Sequence, residues 1–414
     1  MHILLISRCP PYPLHLGDRL IVYHLARELA KRGHVIDLIA LSDRFEDIAD
    51  RVHYSDLFHS IAMVAEPRRT SFDYAYRLIN RSARFPQSAD QAWSPALWEA
   101  IRQHVEANQY DVAHFFGGVQ VYEYAHAVEP LPTIITPYES YSLYLRRMVE
   151  KADQAESLEA RRSISLHERL ANRISLFKLL IQWRIARSYE SWMFTPYRRV
   201  IVVSARDKEE LLDLHGRLPV EVIPNGVDLD YFHPAKLPRE PHTILFTGNY
   251  EYAPNVDAAL RLARDIFPRI QLHFPDAKLW IVGNAPPPEL QALASDSTAV
   301  TGHVPDIREY LNRASVFVSP LRLGAGIKNK ILEALALACP VVATPLSVDG
   351  IAVLNEDELL IAETDEQIID ATLRLLDDLA LGDQLGSSGR RLIEARYSWE
   401  QVARSYEAVY HEVA

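Results

Sequence analysis

A chain of 414 residues exceeds what one ordinary hydrophobic core organises, so two or three domains are expected. Its apolar share of 48% is that of a globular protein, and a formal net charge of −11 excludes wholesale binding to nucleic acid. The two cysteines, Cys9 and Cys339, stand far apart in apolar surroundings and read as reduced thiols rather than a disulfide or a metal pair.

The amino terminus, MHILLISRCPP, is an apolar strand that ends at prolines. It lacks the basic stretch and long apolar segment of a signal peptide, and no apolar run reaches the ~20 residues of a membrane span. A cytoplasmic protein is expected, soluble or peripheral at the inner face of the membrane. His2 to Ser7 reads as a strand buried on both faces of a parallel sheet. The loop CPPYPLHLGDR follows, then an amphipathic helix from Leu20 to Arg32, closed by Gly33, and a strand from Val35 to Leu41. This is a βαβ unit, but Gly17 alone does not make the spaced-glycine fingerprint of a dinucleotide site.

Alternation continues with Ser60 to Val64, a helix from Trp93 to Asn108, and a strand from Asp111 to Phe116. Thr133 to Thr136, Arg199 to Ser204 and Glu221 to Ile223 complete a first doubly wound α/β domain. His114 ends one strand and Glu139 follows another, at the carboxyl edge where such sheets hold ligands. Either is placed to act as a catalytic group on a ligand held there. Between them and the last strands lies a different stretch, about 140–197, without glycine and read as long helices. From 139 to 199 there are 12 Lys and Arg against 7 Asp and Glu, in a chain that is otherwise acidic. Leu176, Phe177, Leu180, Ile181, Trp183 and Trp192 interleave with Lys178, Arg184 and Arg187. Such a helix packs on its own domain with a solvated basic edge, or lies on an anionic membrane.

The best linker is Leu229 to Pro241, after which alternation starts afresh. Thr243 to Thr247 is a strand, Gly248-Asn249-Tyr250 a loop, Asn255 to Phe267 a helix, and Lys278 to Val282 a strand ending at Gly283. Gly302-His303-Val304 leads to a helix from Asp306 to Arg313. Ser319 to Thr344 then reads as strand end, glycine loop, helix and strand. Gly324 and Gly326 permit positive φ or a close ligand. Lys328 and Lys330 occupy the first turn of the helix Lys328 to Ala338, where the dipole alone favours acids, so an anion such as phosphate is expected. Glu333 follows on the same helix, within reach of sugar hydroxyls. Leu359 to Ile361 is a further strand, and a terminal helix runs from Glu400 to His411. Two α/β domains, residues 1–225 and 226–396, with 397–414 packing back toward the first, imply a ligand cleft between them.

Eight segments in order carry a family resemblance: PPYPLHLGDR, RGHVIDL, VIVVSARDKEELL, VIPNGVDLDYFHP, ILFTGNYEYAPNVDAA, WIVGNAP, TGHVPDIREYLNRASVFVSPL and GAGIKNKILEALALACPVVAT. Over nearly its whole length the chain resembles the retaining glycosyltransferases of family 4. These have the GT-B fold of two facing Rossmann-like domains, here with a helical insert in the first. The Gly17-Asp18 loop and GNYEYAPN are most similar to the branch that builds bacterial extracellular polysaccharides. The resemblance implies transfer of a hexose from a nucleotide diphosphate sugar, UDP- or GDP-linked, to a lipid-linked or polysaccharide hydroxyl, with no resident cofactor and no metal.

Carried over by residue, Glu333 matches the last Glu of the family's E-x7-E motif and implies a ribose-hydroxyl acceptor. Ala325 stands where the first Glu is expected. Gly324, Gly326 and Ile327, with Lys328 and Lys330, imply a diphosphate site in which Lys330 also acts on the leaving group. Gly17 is similar to the glycine whose backbone approaches the β-phosphate, with Asp18 and Arg19 beside it. Gly248, Asn249, Asn255 and Gly283 line the donor, and His303 and Val304 match the segment along the nucleobase. The segment from Gly248 to Asn255 lacks the family's Arg and Lys pair, so Lys328 and Lys330 are expected to compensate. Two other readings keep the fold: a non-catalytic nucleotide-sugar-binding subunit, and another GT-B reaction such as an epimerase.

Overall fold

In the computed structural model the chain forms two compact units, Met1–Ile223 with Val402–Ala414, and Pro224–Gln401. The structure describes all residues except 15–16, 69, 71–72, 74–75, 77–78, 80–84, 138–139, 160–165, 236 and 325. For residues 17, 151–159 and 166–172 it describes the backbone only.

The first unit holds seven parallel strands: β1 (His2–Ser7), β2 (Val35–Ser42), β3 (Ser60–Ala65), β4 (Val112–Phe116), β5 (Thr133–Thr136), β6 (Arg199–Val202) and β7 (Val220–Val222). Their order is β3-β2-β1-β4-β5-β6-β7. Helices cover both faces, which is why β1 and β4 read as unbroken apolar runs: Ile3 to Ile6 and Val112 to Phe116 are fully buried. The helix after β1 begins at Gly17, three residues before its apolar period starts, and ends at Lys31. Gly33 then reverses the chain at φ +86°, a left-handed value that an L side chain resists. The helix Pro95–Ala107 starts on Ser94, whose hydroxyl accepts from the Leu97 amide at 3.2 Å.

The basic stretch folds as two long helices, Tyr141–Glu159 and Leu166–Met193. The buried Glu190 carboxylate accepts from the Tyr141 and Ser142 amides at 2.8 and 3.0 Å, so one helix caps the other. The carboxyl end of the second helix anchors the pair through buried Ala186, Tyr189 and Met193. Upstream, Ile174, Phe177 and Ile181 stand in solvent at helical spacing. Among the described residues no helix is long and apolar enough to cross a membrane.

The second unit has six parallel strands: β8 (Thr243–Thr247), β9 (Lys278–Val282), β10 (Thr298–Val300), β11 (Val316–Ser319), β12 (Val341–Ala343) and β13 (Leu360–Ile361). They run in the order β10-β9-β8-β11-β12-β13. Instead of one helix from Asn255 to Phe267, the chain forms an α-helix over Ala253–Arg261, a π-turn over Leu262–Ile266 and a short helix over Phe267–Gln271. Pro268 supplies the reason: it has no N–H for the preceding turn, and its ring displaces the carbonyl it would otherwise bond. The helix after β11 is also shorter than expected, Asn329–Ala336. It closes through Ala338 at φ +53°, while the Cys339 amide returns to the Ala334 carbonyl at 3.0 Å.

Candidate functional site

Each sheet reverses its strand order once, between β1 and β4 and between β8 and β11. In open parallel sheets the loops leaving the carboxyl ends at such a point form the ligand crevice. In the second unit the segments after β8 and β11 carry Gly248, Asn249, Asn255, Gly324, Gly326, Ile327, Lys328, Lys330 and Glu333, while Gly283 follows β9 and His303 and Val304 follow β10.

Thr247 on β8 pairs with Val282 on β9, so the next residues, Gly248 and Gly283, leave the sheet side by side. The Gly248 amide donates to the Val282 carbonyl at 3.0 Å. Gly283 takes φ +144°, and a Cβ there would lie 1.9 Å from the Gly248 carbonyl oxygen. No side chain fits at this contact. A Cβ on Gly248 would in turn press on Asn255 at 3.0 Å. Asn255 is buried, and its amide nitrogen donates to the Asn249 carbonyl at 2.8 Å, which leaves its oxygen facing inward.

Into that oxygen points Lys330, its ammonium 2.7 Å from Asn255 Oδ1 and 4.4 Å from the centre of the Phe246 ring. The cation absent from the Gly248–Asn255 segment thus arrives from the helix after β11. Its loop is held from several sides. The Arg261 guanidinium donates to the Pro320 carbonyl at 2.8 Å and Thr344 Oγ1 to the Leu321 carbonyl at 2.7 Å. Gly324 and Gly326 adopt φ of +114° and +67°. Lys328, buried at the start of the helix, turns its ammonium onto the Gly326 carbonyl. Ile327 lies half-buried between them, packed on the core. Ala325 lies outside the described residues.

Glu333 follows Lys330 by one turn of the same helix. Burial pushes its carboxyl up to about 7, partly opposed by the Lys330 charge. Burial likewise pushes the Lys330 ammonium down to about 7, with Glu333 acting against the shift. Both groups are poised to change charge near neutrality, as expected where an anionic ligand completes a site. The Glu333 field also reaches Tyr231, whose ring the Arg308 guanidinium covers at 3.8 Å. His303 is exposed after β10, and Val304 is half-buried against the core. Phe246 and Tyr231 were not legible as site residues. Phe246 occurs in an ordinary strand pattern, and Tyr231 lies in the linker, where no spacing marks it.

In the first unit, Gly17 opens the helix at the β1 end. Asp18 accepts from the Arg19 amide at 3.1 Å and pairs with Arg8 Nε at 3.5 Å. The Arg19 side chain turns away and is buried, donating to the Tyr12 carbonyl at 2.6 Å and Asp47 at 2.7 Å. It orders the proline loop. The cation closest to Asp18 is instead Arg8, beside Gly117, where a Cβ would meet the Arg8 Cγ at 2.5 Å. His114 lies inside the core rather than at the loop edge. Its ring nitrogens contact Tyr410 Oη at 2.7 Å and Thr136 Oγ1 at 2.8 Å, and burial holds its pKa well below the usual range. Tyr410 comes from the terminal helix Trp399–Val413, which the strand sequence alone does not reveal as a neighbour. Glu139 lies outside the described residues.

Residues 241–378 match the family described as Glycosyl transferases group 1, and residues 20–231, about half the chain, match Glycosyltransferase Family 4. A phosphatidyl-myo-inositol mannosyltransferase of Mycobacterium tuberculosis is 30% identical over 230 residues, 52% of this chain and 59% of that protein. A lipopolysaccharide core biosynthesis mannosyltransferase of Rhizobium leguminosarum is 24% identical over 244 residues, 55% of this chain and 68% of that protein. The chain thus aligns with about 59% of the length of the mycobacterial relatives. Among solved structures, the sucrose-phosphate synthase of Thermosynechococcus elongatus superposes with a TM-score of 0.72 at 18% identity, over 99% of this chain and 98% of that one. That likeness, with two doubly wound parallel sheets, is the GT-B fold class. The chain belongs to glycosyltransferase family 4.

Proposed function

We propose that the protein is a retaining hexosyltransferase that moves a sugar, of the mannose type, from a UDP- or GDP-linked donor to a hydroxyl of a lipid-linked saccharide in extracellular polysaccharide assembly. The observation that carries this reading is the placement of Lys330 and Glu333 on successive turns of the helix after β11, at the order reversal of the second sheet. The donor's bond from the anomeric carbon to the diphosphate oxygen breaks, and a bond to the acceptor oxygen forms on the same face. The negative charge that develops on the leaving diphosphate is met by the Lys330 ammonium and the backbone of the Gly326-Ile327 loop. Glu333 accepts from the ribose hydroxyls. Gly248 and Gly283 keep the floor of the site free of side chains, so the donor lies against backbone. In this reading the charges come from the chain, and no resident cofactor or metal is called for.

The acceptor class rests on the names of the relatives, two mannosyltransferases acting on phosphatidyl-inositol and on lipopolysaccharide core. It also rests on the second helix of the insert, where exposed Ile174, Phe177 and Ile181 flank exposed Arg173, Lys178 and Arg184. That face suits an anionic membrane at the cytoplasmic side. In unit 1, His114 is assigned a packing role and Arg8 joins the Gly17-Asp18 loop as the charged group at the β1 end.

The test is incubation with radiolabelled UDP- and GDP-hexoses and a lipid-linked acceptor, following nucleoside diphosphate release and the anomeric configuration of the product. Transfer with retained configuration supports the reading. Donor binding without any release, in the presence of lipid acceptors, favours a binding subunit, and an inverted product overturns the retaining assignment.

A further inference from the structure

At the opposite, amino edge of the first sheet, three neighbouring strands bring together residues that the donor site does not use. His2 opens β1, Asp37 lies in β2, and His59 immediately precedes β3, with its amide on the Ile36 carbonyl at 2.8 Å. The Asp37 carboxylate is 1% exposed. One oxygen lies 3.0 Å from His59 Nδ1, the other 2.9 Å from His2 Nε2 and 2.7 Å from the Tyr110 hydroxyl. A buried anion therefore faces two imidazoles.

Around His2 both neighbours are acceptors: Nδ1 lies 3.0 Å from the Gln109 carbonyl oxygen and Nε2 lies 2.9 Å from the carboxylate. A proton on Nε2 satisfies the carboxylate, and a metal cation in its place does the same.

We propose that His2, Asp37 and His59 form a binding site for a divalent transition cation of the zinc class. The one ligand atom each offers lies within 4.8 Å of the others. Tetrahedral zinc, with bonds of about 2.0–2.1 Å, sets its donors about 3.4 Å apart, so binding would widen the 2.9 Å His2–Asp37 contact and draw the His59 ring inward. That ring is 65% exposed, so solvent rather than packed side chains covers most of it. Two imidazoles and one carboxylate suit zinc, nickel or copper rather than calcium or magnesium, which take oxygen ligands. The outer groups are in place: the Gln109 carbonyl fixes the His2 tautomer, and Tyr110 orients Asp37. Three protein donors leave a fourth position, on the His59 side, for water. The ion clamps the amino ends of β1, β2 and β3, at the opposite ends of the strands from the Gly17 and Gly117 loops.

Chelator-treated full-length protein is dialysed against zinc alone at neutral pH, and bound metal and Tm are measured. Wild type retains one more equivalent than His59→Ala, and zinc raises Tm in wild type only. Because His59 is largely exposed, the variant keeps its fold. Tyr110→Phe keeps the stoichiometry but weakens binding by about 10–100-fold. Equal metal content and equal Tm response in wild type and His59→Ala overturn the proposal. So does a wild type that retains no zinc, which would mean that a proton occupies the gap at His2.

Discussion

Lys330 donates to Asn255 Oδ1 at 2.7 Å, although 75 residues separate them. Asn255 thereby receives from the helix after β11 the cation that its own segment lacks. The ammonium also lies on the Phe246 ring, so its position is set by a polar and an aromatic partner together. Lys330→Ala is expected to lower kcat for donor turnover by about 100–1000-fold, the scale for loss of one group that meets developing charge. Lys330→Arg keeps the charge but not the fit over Phe246 and recovers part of the rate. Unchanged nucleoside diphosphate release in Lys330→Ala would remove Lys330 from the mechanism.

The Lys330 pKa of about 7 gives donor binding a defined pH dependence. Below that value the free protein already carries the charge. Above it the ammonium is deprotonated, and binding a diphosphate draws a proton back. Affinity for a nucleoside diphosphate is therefore full below pH ~7 and declines above it, with proton uptake on binding near pH 8. Calorimetry in buffers of different ionisation enthalpy measures the uptake. Lys330→Arg, charged throughout, abolishes it.

Glu333 has the opposite sign. Its folded pKa, about 7, lies above its unfolded value, so the folded state holds a proton that the unfolded state releases. Stability from this group is full below the unfolded value, falls as pH rises through 7, and the cost of the ionised, partly buried carboxylate is complete above it. Glu333→Gln is expected to stabilise the protein above pH 7 by about 1 kcal/mol, after discounting for partial exposure, while weakening donor binding. Thermal melts at pH 8, with and without nucleotide, give both effects.

Gly283 is the most constrained backbone position in the site. Gly283→Ala would place a Cβ 1.9 Å from the Gly248 carbonyl oxygen in a left-handed conformation, so the two loops must separate. A loss of about 2–4 kcal/mol in stability and a lower donor affinity are expected. Denaturant titration beside nucleotide binding checks them.

His114 is expected to act on stability and not on turnover. His114→Leu leaves the Tyr410 and Thr136 hydroxyls without their buried partner, at a cost of about 2–4 kcal/mol. The burial-depressed pKa of His114 has a second consequence, since the unfolded chain binds a proton that the folded one refuses. That contribution to stability is lost as pH falls below about 6.5, and His114→Leu is spared it. Comparison of melts at pH 5 and 7, with kcat measured on the folded fraction, separates packing from catalysis.

The insert has a surface test. Phe177 and Ile181 are 63% and 42% exposed, so replacing both with Glu leaves the fold intact. Cosedimentation with phosphatidylglycerol vesicles at low salt is expected in wild type and lost in the double variant. No cosedimentation of wild type removes the membrane reading of this helix.

Periodicity and composition by themselves determined the alternating elements and the loops that carry the chemistry. Buried parallel strands such as His2–Ser7 are continuous apolar runs, and the glycine loop before the lysine-bearing helix at 329–336 stands out because its charge opposes the dipole. Local rules also failed locally: Pro268 split a helix that apolar spacing alone makes continuous. Tertiary structure decided the partners. That Lys330 meets Asn255 and Phe246, that Arg19 is spent on Asp47 while Arg8 reaches Asp18, and that His114 is closed off by Tyr410 follow from strand order and from the return of the terminal helix. The trio of His2, Asp37 and His59 is likewise invisible in sequence, because parallel pairing joins residues whose separation along the chain carries no periodic signal. A side chain's type and local period fix its element, whereas its charge state and role depend on neighbours that only the packed sheets supply.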